Sequence, residues 1–289
     1  MLAQRKLFIA LSLALFTTSA SAGPIVYSVS VNYNDFTGQF GTMDLTAGTF
    51  DAIGPVISDP ISGLMAGPNG MLLSLSVSGN LDSVNPATGA VSVIGATGLG
   101  DLAGVAAEFN GTVYATDLYN NFYRVNTTTG VASLIGSTGL PICPSLISPT
   151  EVSDETLFTA NGKLYATFDG IDLMSLASVD SPELYQINPA TGVATLVGPT
   201  ALGLDAVAQI NGTVYGLAFG YAGSNAVLSL NLANGNTTFL NDYVSSPVPS
   251  GVNAVDIVGV AQTPEPVSFG LVGVGLAALV VYGRRRHAA

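Results

Sequence analysis

The chain has 289 residues, of which 48% are hydrophobic and 9% charged, with 34 Gly and 15 Pro. This composition favours an all-β protein with many turns, and the length is sufficient for one large core. Only 7 basic residues stand against 19 acidic ones, a balance that argues against nucleic acid or anionic lipid as a partner of the main body.

Residues 1–22 have the features of a secretory signal peptide. A basic pair, Arg5-Lys6, is followed by the apolar segment Leu7–Phe16 and by the small residues Ala20-Ser21-Ala22. Cleavage by signal peptidase is therefore predicted between Ala22 and Gly23, which implies that the rest of the chain is exported. The apolar segment is too short to span a membrane as a helix.

Between residues 23 and 262, one hairpin pattern recurs. In one copy, Asn188-Pro189-Ala190-Thr191-Gly192 lies between two runs rich in Val, Ile, Leu, Thr and Tyr, which favour strands. The copies open at Asp44, Asn85, Asn126, Asn188 and Asn231, separated by 41, 41, 62 and 43 residues. A period near 41 residues with four short strands per period is typical of propeller blades.

A second turn recurs in phase with the first. The dipeptide Asn-Gly lies between apolar runs at Asn110-Gly111, Asn161-Gly162 and Asn211-Gly212, with a degenerate copy at Asn69-Gly70. Both residues tolerate positive φ, so this dipeptide is a strong hairpin signal. Each unit therefore reads as strand, Asn-Gly turn, strand, loop, strand, Asn-x-x-x-Gly turn and strand.

The two ends of this array complement each other. Ile25–Val31 enters as a second strand with no first strand before it, and Gly251–Val260 resembles a first strand with no unit after it. We therefore predict a five-bladed β-propeller whose ring is closed by exchange of strands between the two ends. The predicted blades are approximately 24–55 with 251–260, 56–95, 99–136, 150–198 and 201–241.

The 62-residue interval contains two excursions rich in Pro and Ser, Leu140–Glu155 and Asp169–Pro182. Both are predicted to be loops. Long loops on a rigid scaffold often bind ligands, and the alternative is that they are tolerated insertions.

The body offers few residues for catalysis. The single His of the chain is His287, near the C-terminus, and the single Cys is Cys143. A Ser-His-Asp triad, a zinc site of the usual type and an internal disulfide are therefore excluded from the body. Cys143 is interpreted as a buried, inert thiol, with pairing between chains or a modification of the thiol as the alternatives. No pair of carboxylates stands out for glycoside hydrolysis.

Three carboxylates precede or begin the first strand of their units, namely Asp101, Asp205 and Asp256. Asp154 and Glu155 hold a similar place in the expanded unit. If these strands line the central channel, the carboxylates are candidates for a Ca²⁺ site, because Ca²⁺ prefers oxygen ligands. The alternative is that they are solvated or cap turns. No other cofactor is predicted.

Two further recurring features, the Asn-x-Thr sequons and a set of tyrosines, are interpreted as serving the fold and not a ligand. The Asn-x-Thr sequons coincide with turns or directly follow one, at Asn110, Asn126, Asn211 and Asn236. Three tyrosines recur in register with the blades and are predicted to pack in the core, namely Tyr114, Tyr165 and Tyr215.

The character of the sequence changes after residue 262. Pro264, Glu265 and Pro266 are followed by the apolar or small residues Val267–Tyr282 and then by Arg284-Arg285-Arg286. A transmembrane helix is predicted at 267–282, about 24 Å long at a rise of ~1.5 Å per residue. The arginines Arg284, Arg285 and Arg286 are predicted to remain on the cytoplasmic side.

This tail resembles the PEP-CTERM sorting signal of Gram-negative bacteria, over residues 263–289. The resemblance implies export across the inner membrane, transient anchoring by the C-terminal helix, and processing by an exosortase near Pro264-Glu265-Pro266. It also implies display on the cell surface or release into an extracellular polysaccharide or biofilm matrix. An ordinary C-terminal membrane anchor is the alternative.

We therefore expect an exported surface or matrix protein whose propeller is a non-enzymatic binding or scaffold module. Its expected partners, apart from the processing enzymes, are extracellular polysaccharide or another surface protein. The alternative is a secreted, polysaccharide-active hydrolase or lyase with a carboxylate or Ca²⁺-assisted site in the channel. The absence of His from the body and the scarcity of Lys and Arg favour the first.

Overall fold

The computed structural model describes residues 23–32, 37–59, 61, 63–67, 70–99, 106–117, 119–140, 151–172, 177–178, 181–218, 225–243 and 255–262. All 21 regular elements in these residues are strands, arranged in five antiparallel sheets. The predicted signal peptide and the predicted sorting tail lie outside the described residues.

Each sheet forms one blade, and the blades are numbered in chain order. Blade 1 contains β1 (Ile25–Asn32), β2 (Thr37–Asp44), β3 (Thr49–Ile57) and the last strand, β21 (Val255–Gln262). Blade 2 contains β4 (Met65–Ala66), β5 (Leu72–Leu75), β6 (Asn80–Val84) and β7 (Val91–Ala96). Blade 3 contains β8 (Ala106–Phe109), β9 (Thr112–Thr116), β10 (Asn121–Val125) and β11 (Ala132–Ser137).

The remaining two blades follow the same order. Blade 4 contains β12 (Glu151–Ala160), β13 (Lys163–Asp172), β15 (Glu183–Ile187) and β16 (Ala194–Pro199), with the short β14 (Ala177–Ser178) paired to β13. Blade 5 contains β17 (Ala206–Ile210), β18 (Thr213–Ala218), β19 (Asn225–Leu230) and β20 (Thr237–Tyr243).

The blades form a closed ring. Each of the innermost strands, β21, β4, β8, β12 and β17, contacts the innermost strands of the two neighbouring blades. The prediction of an all-β, five-bladed propeller is therefore confirmed. Blade 1 takes its innermost strand from the far end of the body, since β21 pairs antiparallel with β1 from Val26↔Gln262 to Asn32↔Val255. This strand spans Val255–Gln262, whereas the sequence placed it at Gly251–Val260.

The prediction of loops at Leu140–Glu155 and Asp169–Pro182 is wrong in part. β12 and β13 pair without interruption from Glu151↔Asp172 to Ala160↔Lys163, so both excursions contribute to a ten-residue hairpin. Polar and apolar residues do not alternate regularly in this stretch, so the sequence shows no clear strand pattern. The pairing of Asp154 with Asp169 joins residues 15 positions apart, and no local pattern indicates it.

The predicted turns have the backbone geometry that their sequences require. In the turns between first and second strands, Asn110, Asn161 and Asn211 have φ of 49–51°, and the glycine after each also has positive φ. In the outer turns, the opening Asn or Asp accepts backbone N–H bonds from residues two or three positions later, as Asn126 Oδ1 does from Thr128 at 2.9 Å and Thr129 at 3.1 Å. These side chains therefore serve the turns, as the sequence predicts.

The hydrophobic core lies between the blades. Five clusters of buried side chains each join one pair of neighbouring blades, and together they run round the ring. Tyr165 is buried and stacks on Phe158 with ring centroids 5.6 Å apart. Tyr114 stacks on Phe122 at 5.1 Å, and Tyr215 packs against the cluster between blades 5 and 1. The prediction that these tyrosines pack in the core is confirmed.

A second contact between blades, which we call the rim seam, lies where the outer strand of one blade meets the outer turn of the next. A Cβ atom built on Gly95 in β7 would lie 2.2 Å from the carbonyl oxygen of Thr129, and one built on Gly130 would lie 2.3 Å from that of Gly95. Gly54, Gly136 and Gly198 occupy the same position in their blades. Only glycine permits such close approach of two backbones.

Threonines fasten the same seam. Thr138, which is buried, donates its hydroxyl to the Asn120 carbonyl at 2.9 Å, and its own carbonyl accepts the Ala194 N–H of the next blade at 2.8 Å. Thr97 makes the equivalent bonds to Gly79 and Ala132. At the closure between blades 5 and 1, Asn241 stands where the other blades have glycine, and its amide donates to the Thr46 carbonyl at 2.8 Å.

Candidate binding face

The two mouths of the channel differ in the length of their connections. Because consecutive antiparallel strands alternate in direction, all Asn-Gly turns between first and second strands lie at one mouth, which we call the turn face. The entries from one blade to the next and the connections between second and third strands lie at the other mouth, which we call the loop face. The longest connections of the body therefore all begin and end at the loop face.

The carboxylates are distributed unequally between these faces. Residues at loop-face strand ends and connections include Asp59, Asp117, Glu151, Asp154, Asp169, Asp172, Glu183, Asp205 and Asp256. Both basic residues of the body lie elsewhere: Lys163 directly follows the Asn161-Gly162 turn, and Arg124 lies in β10 close to the outer turn of blade 3. The strand ends and connections of the loop face therefore contain many acidic residues and no basic residue.

One loop-face carboxylate is saturated by hydrogen bonds. Asp117 accepts the N–H groups of Tyr119 and Asn121, the Asn121 side-chain amide and the Tyr123 hydroxyl, all at 2.8–2.9 Å. Burial raises the pKa of the Tyr123 phenol, and the hydrogen bond to Asp117 raises it further. This arrangement orders the turn between β9 and β10 and leaves Asp117 little capacity to bind a ligand.

Blade 2 differs from the others at one position, three residues before the outer turn. Blades 3 and 4 carry Tyr123 and Tyr185 here, and blade 2 carries Asp82. The cross-strand partner of Asp82 is Ser74, in place of alanine in blades 3 and 4. A carboxyl and a hydroxyl therefore replace a phenol ring and a methyl group inside blade 2.

Asp82 is buried without full compensation. Its residue is 2% exposed, and its Oδ1 atom has no hydrogen-bond partner among the described residues. It shares a strand face with Val84, which packs in the cluster between blades 1 and 2. Burial, with a smaller contribution from the charge of Asp59, raises the pKa of Asp82 to about 6.

The raised pKa links stability to pH. Because the folded state holds the Asp82 proton more tightly than the unfolded chain, the stabilisation by protonation is present in full below the ordinary pKa of 3.8 and is lost as the pH rises through about 6. Neutral pH therefore leaves a buried charge between blades 1 and 2.

Hydroxyl and carboxylate oxygens are linked to one another at the adjacent end of the β5–β6 hairpin. The Ser76 and Ser78 hydroxyl oxygens lie 3.0 Å apart, and the Ser78 hydroxyl donates to Asp59 Oδ2 at 2.5 Å. The Asn80 side chain donates to the Ser78 hydroxyl at 2.8 Å. Ser74 and Ser76 are fully buried. We call Asp59, Ser74, Ser76, Ser78 and Asp82 the blade 2 oxygen cluster.

Of the three Ca²⁺ candidates predicted from the sequence, two lie in the described residues. Asp101 lies outside the described residues. Asp205 precedes β17 and donates its backbone N–H to the Leu217 carbonyl at 2.9 Å, and Asp256 lies in β21 opposite Val31. Among the described residues, no group of three or more His, Cys, Asp or Glu side chains could hold a metal ion.

Other predicted functional residues also lie outside the described residues. They are Ala22 at the predicted cleavage site, Cys143, Pro264, Glu265, Pro266, Arg284, Arg285, Arg286 and His287. Gly23, on the other side of the predicted cleavage site, lies against Asp44 and Thr46. Within the described part of the chain, no helix has the length and apolarity needed to cross a membrane.

Sequence reasoning did not identify Asp82, although a signal was present. Aligning the units on the residue that opens the outer turn places Asp82 in register with Gly41, Tyr123, Tyr185 and Leu228. It is the only ionisable carboxyl at this position of the repeat.

The chain matches no protein-family model and no curated protein. Among solved structures, it is similar to TolB from Acinetobacter baumannii, with 11% identity, coverage of 88% of this chain and 70% of that one, and a TM-score of 0.44. A protein of unknown function from Bacteroides thetaiotaomicron is 15% identical, with coverage of 80% of this chain and 61% of that one and a TM-score of 0.49.

The PQQ-bound aldose sugar dehydrogenase from Streptomyces coelicolor gives 13% identity, coverage of 59% of this chain and 60% of that one, and a TM-score of 0.40. The chain therefore spans less than two thirds of the dehydrogenase and of the Bacteroides protein. At these identities, the likeness concerns the fold alone.

Proposed function

We propose that this chain is an exported, exosortase-processed surface or matrix protein whose propeller is a non-enzymatic module that binds through its loop face. The observation that carries the proposal is the inequality of the two faces. At the turn face, the Asn and Gly residues of the described turns have the positive φ that such tight turns require. The loop face carries the long connections and most of the carboxylates, and such connections on a rigid scaffold are where binding usually occurs.

The directions of the terminal strands support this orientation. β1 starts and β21 ends at the turn face, since Ile25 pairs with Asp44 and Val26 with Gln262. The tail that follows Gln262 therefore leaves the body from the turn face. While the tail anchors the chain, the turn face is directed to the membrane and the loop face away from it.

A binding role is favoured over the alternative hydrolase or lyase. The body has no histidine. The Asp82 carboxyl, which has a raised pKa, is 2% exposed and lies between blades 1 and 2, where a polymeric substrate has no access. A general acid has to reach the bond that it protonates.

Binding can be assigned to one face by adding bulk to each. Ala201, in the exposed connection before β17, lies at the loop face, and Thr213 lies beside the Asn211-Gly212 turn of the same blade. We expect Ala201→Trp to reduce binding of the full-length chain to extracellular polysaccharide from its host at least fivefold, and Thr213→Trp to leave it unchanged. Pull-down with the isolated polysaccharide measures this. Equal binding by both variants, or turnover of the polysaccharide abolished by Asp205→Asn, would contradict the proposal.

The sorting part of the proposal has a separate test. We expect mass spectrometry of the surface-located protein to find a C-terminus near Pro264, because the resemblance of the tail implies cleavage there. Deletion of the exosortase of the host serves as the control and should restore the full-length mass. A surface-located form that retains Arg284-Arg285-Arg286 would exclude processing.

A further inference from the structure

The charge of Asp82 has no counter-charge in the protein. The body contains only two basic residues, Arg124 and Lys163. Lys163 bonds to Gln186 in blade 4 at 3.1 Å, and Arg124 lies in blade 3. A buried carboxylate without a partner destabilises the folded state. Either a proton or an external cation therefore has to neutralise Asp82.

The surroundings of Asp82 supply the ligands that a hard cation requires. The charge of Asp59 contributes to the raised pKa of Asp82, and Asp59 accepts both the N–H and the hydroxyl of Ser78 in the turn that joins β5 to β6. The Ser74 hydroxyl lies on the cross-strand neighbour, and Ser76 lies on the same strand face as Ser74. Sulfur and imidazole ligands are absent from this cluster, and carboxylate, hydroxyl and water oxygens are the ligands that Ca²⁺ prefers.

The unpartnered Oδ1 atom is the independent sign that something else belongs here. Asp117 and Glu183, the carboxylates at the corresponding edges of blades 3 and 4, each accept a tyrosine hydroxyl. Asp82 is more deeply buried than Asp117 and has no such donor for Oδ1 among the described residues. The arrangement is therefore specific to blade 2 and is not a general feature of the repeat.

We propose that the blade 2 oxygen cluster binds one Ca²⁺ ion, with Asp82 and Asp59 as its charged ligands, and that the ion fastens blade 2 to blade 1. The remaining ligands are serine hydroxyls and water. With two carboxylates, the expected affinity is that of extracellular Ca²⁺ modules, with Kd of roughly 10⁻⁴–10⁻³ M. This site is distinct from the sequence-based candidates Asp101, Asp205 and Asp256, and it does not depend on the proposed binding function.

The test uses the full-length chain in mild detergent at pH 7.5, with CaCl₂ titrated into metal-free buffer. We expect isothermal titration to find a site that is lost, or weakened at least tenfold, in Asp82→Asn. Thermal unfolding should show a Tm that rises with Ca²⁺ in the wild type and not in the variant. The matched control is Asp242→Asn, which removes an exposed carboxylate of blade 5 and should retain the site.

Measurements of stability at several pH values distinguish protonation of Asp82 from Ca²⁺ binding. In EDTA, the wild type should lose stability relative to Asp82→Asn as the pH rises from 4 to 7, and 10 mM CaCl₂ should reverse the loss. Failure of Ca²⁺ to bind, or equal binding by wild type and Asp82→Asn, would overturn the proposal. If Asp82→Asn does not fold, Asp59→Asn replaces it. Retention of the full Ca²⁺ affinity by Asp59→Asn would also overturn the proposal.

Discussion

A chain that ends at residue 254 should not fold cooperatively. Removal of residues 255–289 deletes β21, which leaves the inner edge of β1 without its backbone partners and breaks the contacts of β21 with β4 and β17. Each net backbone hydrogen bond contributes about 0.5–1.5 kcal/mol, and a domain has a total stability of about 5–15 kcal/mol. The loss of a whole inner strand is therefore comparable with the stability of the ring. Far-UV circular dichroism during thermal unfolding measures the effect.

The control for this truncation is a chain that ends at residue 262. It lacks the predicted sorting tail and retains β21, so we expect a sharp thermal transition and a monomeric elution volume. The shorter chain should unfold without a transition or associate through the open edge of β1. A sharp transition at the same Tm in both chains would show that β21 does not close the ring.

Substitutions at the rim seam should have the second-largest effect. Gly130 has φ of 81°, and a Cβ atom there would lie 2.3 Å from the Gly95 carbonyl oxygen. Gly130→Ala therefore combines an unfavourable backbone conformation, at about 1–2 kcal/mol, with a backbone clash of about 1–3 kcal/mol or more. We expect a loss of roughly 3–5 kcal/mol from the free energy of unfolding, measured by denaturant titration.

Two glycines separate these contributions. Gly111 has φ of 78°, and a Cβ atom added to it would meet nothing within 4 Å, so Gly111→Ala tests the backbone conformation alone. Gly95 lacks a positive φ, and a Cβ atom there would lie 2.2 Å from the Thr129 carbonyl oxygen, so Gly95→Ala tests the clash alone. The expected order of destabilisation is Gly130, Gly95 and Gly111. If Gly95→Ala is as stable as the wild type, the seam is not tightly packed.

The fold was largely predictable because its turns are specified by short local sequences. Asn and Gly adopt positive φ at low cost, so Asn110-Gly111 and its copies indicate hairpins whatever their surroundings. The regular spacing of the outer turns then indicated the number of blades. The β12–β13 hairpin was missed in part, because its extension depends on pairing between Glu151 and Asp172 and not on a local signal.

The seam and the blade 2 oxygen cluster were not predicted, for different reasons. Gly54, Gly95, Gly136 and Gly198 each follow the last glycine of an outer turn by six residues, so the recurrence was visible, but its cause lies in the neighbouring blade. Asp82 was visible only as an exception to the repeat. Its burial depends on how blades 1 and 2 pack together, which the sequence of one blade does not specify.

The closure of the ring also determines the order in which the protein can be completed. The partners Val26 and Gln262 are the first and last parts of the body to be synthesised, and closing a loop of this length costs about 5 kcal/mol of chain entropy. Blades 2–5 are made from contiguous sequence and can form as they emerge. Blade 1 can be completed only after its last strand has been made. The interval between the synthesis of its first and last strands is therefore the period in which an incomplete ring exposes its unpaired edge to neighbouring chains.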